Sequence, residues 1–538
     1  MSYTYDARNL QLTITNDIIG KTVGYTYDER GRKVALTYPD GETITYTRDS
    51  RGQVARLASD RPGPGGEPPP SVDYAYNPDG SLASMDYGFG MHVERLYDRA
   101  GRLVDLRYTK PDGTVISDFA YTHDEAGNIL SKTTDFGLVQ YGYDALDRLV
   151  LADYDWKADE TFAYDAVGNR TADAEHPVWH YDAANQLLAY GAGPHDPAGQ
   201  TPPTVPAFTF AYDANGSTVS KTDPAAGTAD QYGYSFDNRM REVWRNGELV
   251  ARYFYDHLSQ RIRKDLFTDG SPTGTTWYVC GLEGVLSEYD NSGALIKKYA
   301  YHLDHPWGTQ PLWQMDAPGS FNYYISNHIG TPQSMVNDSI VRTWHTDWNV
   351  FNPEIIEQEV EAVLRFPGQY WDSESGLNYN NYRYFDKETG RYMQQDPLEI
   401  LGITLEPKYH YTYSKSNPVR YFDPYGLVSW CGGSPDDLVP DYFDLTGPQS
   451  WAWPGLLGGA VSFKEPCMTH DFCYGCTGKR RGKTKNTCDY EFYLDMYSQC
   501  SKMSIIYRLN CYSLAYIYYN AVLEWGGPFF DEARKCCD

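Results

Sequence analysis

From Tyr25 to Ala294, hydrophobic and polar positions alternate in short runs, and each run stops at the same kind of turn. YTYDERGR begins at Tyr25, YTRDSRGQ at Tyr46, YAYNPDGS at Tyr74, LYDRAGR at Leu96 and YTHDEAGN at Tyr121. YGYDALDR, FAYDAVGN, HYDAANQ, FAYDANGS, YSFDNRM, FYDHLSQR and EYDNSGA follow. Period-two alternation is strand patterning, and Tyr-x-Tyr sets two aromatics on one face. Asp-x-x-Gly is turn chemistry, because Asp bonds its own backbone and Gly accepts a positive φ. The next run, such as RKVALTY or RLVDLRY, returns as a second strand. Each unit is therefore predicted to be a hairpin. One hairpin cannot bury its face alone, so the recurrence predicts hairpins stacked into one long curled sheet.

Composition agrees and narrows the class. Aromatics reach 15%, mainly through 49 tyrosines, and the 48 glycines suit many short strands and turns. The balance of 46 Lys+Arg against 72 Asp+Glu gives a net charge of −26. That argues against a nucleic-acid partner, which would select a basic face. No stretch approaches the ~20 consecutive apolar residues of a membrane span. The opening MSYTYDARNL has no charged segment leading into an apolar one, so no Sec-type signal is expected and export would use another route. Nine of the ten cysteines fall within the last 108 residues, and Cys280 stands apart. A dense local set is a disulfide framework or a metal site, and disulfides need an oxidising compartment. The chain reads as a scaffold carrying a separate module.

The scaffold resembles the tyrosine–aspartate repeats of the RHS family. YYISNHIGTPQSMVN at 323–337 is similar to the family's His-x-Gly-Thr-Pro segment. RFPGQYWDSESGLNYNNYRYFDKETGRYMQQDP at 365–397 and NPVRYFDPYGL at 417–427 resemble its closing signature. After Asp396-Pro397 the chain reads LEILGI, where the family has a glycine-rich run. The resemblance implies a hollow β-cocoon, a mainly β shell that encloses a C-terminal toxin and cuts it free as an aspartyl protease. By that resemblance Asp396 and Asp423 form the cleaving pair, Arg391 is their charge partner, and the cut follows Leu427. Two like charges at close range cannot both ionise, so one serves as base and the other as acid. From the residues alone, both aspartates are equally well read as turn caps before proline. The expected division is 1–364 for the repeat shell, 365–427 for the self-cleaving segment and 428–538 for the toxin domain.

The tail changes pattern. Residues from Glu465 to Gly475 and the run CDYEFYLDMYSQCSKMSIIYRL are predicted helices, joined by the basic loop TGKRRGKTKN, and YSLAYIYYNAVLEW is a third. CMTHDFCYGC at 467–476 packs three cysteines, a histidine and an aspartate onto the first of these. His470 and Tyr474 are four residues apart and share a face. Three chemistries suit the cluster: zinc on Cys467, His470, Cys473 and Cys476, a purely structural disulfide knot, or acid–base catalysis. Equal steps of three wind round a helix instead of converging, which disfavours zinc. PCMTHDFCYGC followed by CDYEF is similar to secreted phospholipase A2, most closely the group XII type. The resemblance implies His470 as general base, Asp489 as its partner, Tyr474 as a hydrogen-bond donor to Asp489, and Asp471 as a ligand to Ca2+. It also implies Cys473–Cys488 and Cys431–Cys467 bridges. Pro466 stands where the family has the first cysteine of a pair. Backbone carbonyls of a glycine loop complete the calcium site in that family. WCGG, with Trp430, Gly432 and Gly433, matches it, and GLLGG with Gly458 and Gly459 is the alternative.

Together these features predict a toxin delivered without a Sec signal. It would hydrolyse the sn-2 ester of membrane phospholipids at the periplasmic or extracellular side of a target cell. The family implies a cognate immunity protein and a secretion-system or carrier component as partners. The apolar WAWPGLL stretch suits either a membrane surface or a core. The rival classes are an adhesion protein whose cysteine-rich tail only binds, and a toxin of different chemistry on the same shell.

Overall fold

The computed structural model describes residues 1–62, 66, 69–317, 319–397, 410–427 and 430–431. The chain divides into two compact units, Met1–Pro397 with Pro407–Asp437, and Leu398–Glu406 with Leu438–Asp538. All described residues belong to the first. The expected tail helices lie outside them.

The repeat becomes a hairpin through one turn, used again and again. At the first full copy, the Asp28 amide donates to the Arg32 carbonyl at 2.9 Å and the Gly31 amide to the Asp28 carbonyl at 3.0 Å. The Asp28 Oδ1 accepts the amides of Arg30 and Arg32, both at 2.9 Å. Gly31 sits at φ 81°, where a side chain is disfavoured. The same backbone pattern recurs at Asp49, Asp98, Asp124, Asp144, Asp165, Asp182, Asp213 and Asp256. Where glycine is missing from the fourth position, Asp147, Asn185 and Ser259 adopt the positive φ instead. In YSFDNRM the register slides. Ser235, not Asp237, leads the turn, its hydroxyl accepting the Arg239 amide at 3.1 Å.

The two tyrosines of a repeat have different jobs. The one next to the aspartate ties its hairpin to the preceding one. Tyr27 donates its hydroxyl to the Gln11 carbonyl at 2.8 Å, Tyr143 to Ile129 at 2.7 Å, and Tyr255 to Met240 at 2.6 Å. The other, two residues earlier, is buried: Tyr25, Tyr46, Tyr121 and Tyr253 all belong to the main hydrophobic core.

The stacked hairpins form two antiparallel sheets of sixteen strands each, in sequence order. The first runs from Ser2–Tyr5 to Arg170–Asp173 and the second from Val178–Tyr181 to Pro353–Gln358. The expected single sheet is thus broken once. The break falls at AEHP, where Asp173 folds the chain by accepting the amides of Glu175 and His176, and Pro177 has no amide to donate. Buried side chains join the two sheets in matching order. Tyr25 donates to Glu283 at 3.1 Å, Tyr38 to the Tyr299 carbonyl at 2.6 Å, Tyr108 to the Ser326 carbonyl at 2.9 Å, and Trp156 to Asp347 at 2.9 Å.

The closing signature forms a small sheet of four short strands, Tyr370–Asp372, Leu377–Asn380, Arg383–Asp386 and Arg391–Tyr392. Buried ion pairs anchor it to the second large sheet. Asp372 takes Arg261 and, at 3.0 Å, Lys264. Asp386 takes Lys221 at 2.9 Å. Cys280 is buried and unbridged in the core.

Candidate active site

The small sheet carries the one place where the expected cleavage residues meet. Arg383 projects from the strand Arg383–Asp386 and is almost fully buried. Its Nη2 lies 3.0 Å from Asp396 Oδ2 and 3.1 Å from Asp423 Oδ2. Both carboxylates are buried, Asp396 at 6% exposure and Asp423 at 2%. A single guanidinium therefore stands between two carboxylates with little water to screen them. The expected charge partner, Arg391, is elsewhere. It donates to Asn169 at 3.1 Å and to the Asn185 carbonyl at 2.7 Å, in the turns of the large sheets. Arg391 sits one strand further along the small sheet, paired with Asp386, and that register carries it to the repeat turns.

Arg383 was not singled out from the sequence, yet a signal for it existed. It is the lone charge between Glu374 and Asp386, and two aromatics follow it in its strand. A charge in a fully buried strand needs a partner.

The chain around Asp423 is held from several sides. Asp423 Oδ2 accepts the Tyr392 hydroxyl at 2.9 Å, and Oδ1 accepts the Leu427 amide at 2.9 Å. Asn380 donates its side-chain amide to the Asp423 carbonyl and to the Tyr392 hydroxyl, each at 2.8 Å. The Arg383 guanidinium stacks 3.6 Å above the Tyr392 ring and donates through Nε to the Gly426 carbonyl at 2.5 Å. Burial, reinforced by the Asp423 carboxylate, pushes the Tyr392 hydroxyl well above its ordinary range, so it stays a proton donor. Tyr421–Phe422 pairs with Trp430–Cys431 as a two-stranded hairpin. Leu427, after which cleavage is expected, thus sits in the hairpin's loop, with its amide fixed on one of the two carboxylates.

The segment that carries Asp423 is strapped across the large sheets. Asn417 donates to the Asp147 carbonyl at 2.9 Å, Arg420 to Asn128 at 2.9 Å, and Tyr411 to the Gly216 carbonyl at 2.7 Å. His328, from the His-x-Gly-Thr-Pro segment, lies 2.8 Å from the Val419 carbonyl. Gly368 approaches Pro424 so closely that a Cβ there would overlap its backbone.

The tail chemistry lies outside the described residues. That holds for His470, Asp471, Tyr474 and Asp489, for Gly432 and Gly433, and for Cys467, Cys473 and Cys488. Of the expected calcium loop, the backbone of Trp430 and Cys431 is described, as the strand paired with Tyr421–Phe422. Among the described residues no three of His, Cys, Asp or Glu cluster to hold a metal. No helix among them is long and apolar enough to cross a membrane.

Three family models match the chain. Residues 90–419 match the Teneurin YD-shell, residues 5–43 the RHS Repeat, and residues 458–526 the Prokaryotic phospholipase A2. Toxin protein Tse5 of Pseudomonas aeruginosa is 27% identical over 364 residues, covering 57% of this chain and 27% of the relative. Double-stranded DNA deaminase toxin A of Burkholderia cenocepacia is 26% identical over 377 residues, covering 64% of this chain and 24% of the relative. The chain thus spans about a quarter of the length of these relatives. Its fold is similar to the solved Photorhabdus luminescens Tc holotoxin pore, with a TM-score of 0.60 at 17% identity, over 76% of this chain and 21% of that one.

Proposed function

From a chain that belongs to the teneurin YD-shell family and matches prokaryotic phospholipase A2 in its tail, we propose a toxin that cuts itself after Leu427 and so frees a calcium-dependent phospholipase A2. The phospholipase match at 458–526 supports the enzyme half of this reading, because the matched span includes His470, Asp471, Tyr474 and Asp489. The shared Arg383 carries the cleavage half.

In the tail, His470 takes a proton from a water that attacks the sn-2 ester carbonyl. Asp489 orients the imidazole and stabilises its charged form, and Tyr474 holds Asp489. Asp471 and the loop carbonyls of Trp430, Gly432 and Gly433 would hold calcium, which would supply positive charge for the developing oxyanion. The Cys473–Cys488 and Cys431–Cys467 bridges would brace the helices, which suits an oxidising, calcium-rich setting such as the periplasmic or extracellular face of a target membrane. A cognate immunity protein and a delivery component complete the reading. Relatives named as a DNA deaminase toxin and as a probable deoxyribonuclease match at 26% and 28% identity, which suits a scaffold that carries different chemistries.

In the shell, two buried carboxylates this close oppose double ionisation, so one carries a proton and the other acts as base. A water adds its oxygen to the Leu427 carbonyl and gives a proton to the ionised carboxylate. The protonated carboxyl gives its proton to the Val428 nitrogen as the C–N bond breaks. One water is consumed, and a new carboxyl and a new amine result.

The test uses the full chain and its released fragment with phospholipid vesicles, in calcium and in chelator. Fatty acid release that needs calcium and disappears in His470→Ala is the expected result. Release by His470→Ala at the wild-type rate would remove the phospholipase assignment. Mass spectrometry of the full chain should show a new N-terminus at Val428 that Asp423→Asn lacks.

A further inference from the structure

We propose that the cavity between the two large sheets at Lys132 binds one halide-sized anion, held by the Lys132 ammonium and the Tyr141 hydroxyl. The site is independent of self-cleavage and of the chemistry of the tail.

The cavity is walled from both sides. Phe136, Tyr141 and Trp156 come from the part of the chain that builds the first sheet, and Gln333, Asp347 and Trp348 from the part that builds the second. Its volume is about 20 Å³, room for about one or two water-sized occupants. A monatomic anion fits that space, whereas a phosphate does not. Because the walls belong to both sheets, an occupant braces the two against each other.

The charges around the cavity favour an anion over a water. Lys132, on the strand Ile129–Thr133, lines it at 8% exposure. Asp347 pulls on its amine, but Asp347 already takes the Trp156 indole N–H at 2.9 Å and Lys157 Nζ at 3.1 Å. Asp135 takes the Ser117 hydroxyl at 2.8 Å and Arg342 at 2.5 Å, with His345 Nε2 3.6 Å away. Glu160 accepts the Tyr154 hydroxyl at 2.7 Å and the Val350 amide at 2.8 Å, and burial pushes its carboxyl up, towards the neutral form. Three cations, Lys132, Lys157 and Arg342, thus stand against two carboxylates, Asp347 and Asp135. A buried excess charge is costly until a counter-charge shares its space, and in a dry cavity that attraction is weakly screened. Burial keeps the Tyr141 hydroxyl protonated, well above its ordinary range, so it can donate to the anion. Other donors in the wall are turned elsewhere. Thr346 donates to the Glu354 carbonyl at 2.8 Å, and Gln333 to the Thr331 carbonyl at 3.1 Å.

The test is thermal unfolding of the full chain at pH 7, in sodium bromide and in sodium gluconate of equal ionic strength. Gluconate is too large for the cavity and controls for screening. Above half-saturation, each tenfold rise in bromide should raise the wild-type melting temperature by about 1–2 °C, with no such rise in gluconate. In gluconate Lys132→Met should be the more stable protein, and bromide should narrow the gap, because the variant loses the bromide effect. Tyr141→Phe should need several-fold more bromide for the same rise. Crystals grown in bromide should show its anomalous signal beside Lys132, and that observation carries the test alone if Lys132→Met does not fold. Equal wild-type melting temperatures in the two salts, an undiminished bromide effect in Lys132→Met, or only a water at the site would overturn the proposal.

Discussion

Asp396 and Asp423 meet on a single nitrogen of Arg383, at 3.0 and 3.1 Å. All three groups are buried, so this arrangement is either balanced or very costly. Removing one partner of a buried ion pair typically destabilises by about 3–5 kcal/mol, because the charge left behind has no water to turn to. Arg383→Met should therefore lower the melting temperature sharply and abolish the Val428 fragment. Arg383→Lys keeps the charge but not the planar fork that serves both carboxylates and the Gly426 carbonyl. It should fold and cleave at least about tenfold more slowly. Melting curves and fragment gels on the two variants separate charge from geometry.

The approach of Gly368 to Pro424 gives a second test. Gly368 has φ 84°, and a Cβ would overlap the Pro424 backbone. Gly41 has nearly the same φ, 87°, with nothing within 4 Å of its Cβ position. Gly41→Ala should cost about 1 kcal/mol from backbone conformation alone. Gly368→Ala should cost clearly more and slow the appearance of the Val428 fragment, because it displaces the segment that carries Asp423. Equal losses in the two variants, read by chemical denaturation, would mean that the contact at Pro424 does not matter.

Acid should loosen the sheets at identifiable histidines. Burial holds His302 well below its ordinary range, His305 down at about 4 and His328 at about 3. His305 and Arg95 add to the effect at His302, Arg95 adds to it at His305 against Asp304, and Lys132, His123 and Arg95 add to it at His328. His302 and His328 pack edgewise or tilted on Tyr74 and Tyr121 of the first sheet, so their charging acts between the two sheets. Their folded pKa values lie below the unfolded ones. The stability they allow is thus complete above the ordinary histidine range and lost as pH falls towards 4. Each contributes up to about 1.4 kcal/mol per pH unit. Denaturation midpoints measured from pH 7 to 4 should fall steeply, and less steeply in His328→Gln.

Lys132 offers the opposite kind of test. Its side chain lines a cavity of about 20 Å³ with Phe136, Tyr141, Trp156, Asp347 and Trp348. Burial brings its amine down to about 8, with only a partial counter-pull from Asp347. A buried amine whose desolvation is only partly offset weakens the fold wherever it must carry charge. Stability should therefore rise as pH goes from about 8 to the ordinary lysine value near 10.4. Lys132→Met should raise the midpoint at pH 7 and flatten that alkaline rise. A lower midpoint in the methionine variant would show that Lys132 is stabilising after all.

The sequence by itself determined the repeating unit. Period-two alternation and an aspartate that bonds its own turn are local physics, and the hairpins at Asp28, Asp49, Asp98, Asp124, Asp144, Asp165, Asp182, Asp213 and Asp256 follow them. It also singled out Asp396 and Asp423, since both stand in a signature that is readable as a string. It did not reveal that Tyr27-type residues staple neighbouring hairpins while Tyr25-type residues cross to the other sheet, because both are tyrosines on one face of one strand. Nor did it reveal which arginine serves the carboxylates. Arg383 and Arg391 lie on neighbouring short strands, and only the register of the small sheet sends Arg383 to Asp423 and Arg391 to the turns around Asn169 and Asn185. Tertiary structure decided those points because burial and ion pairing depend on what arrives from distant parts of the chain, and such arrivals leave no spacing to read.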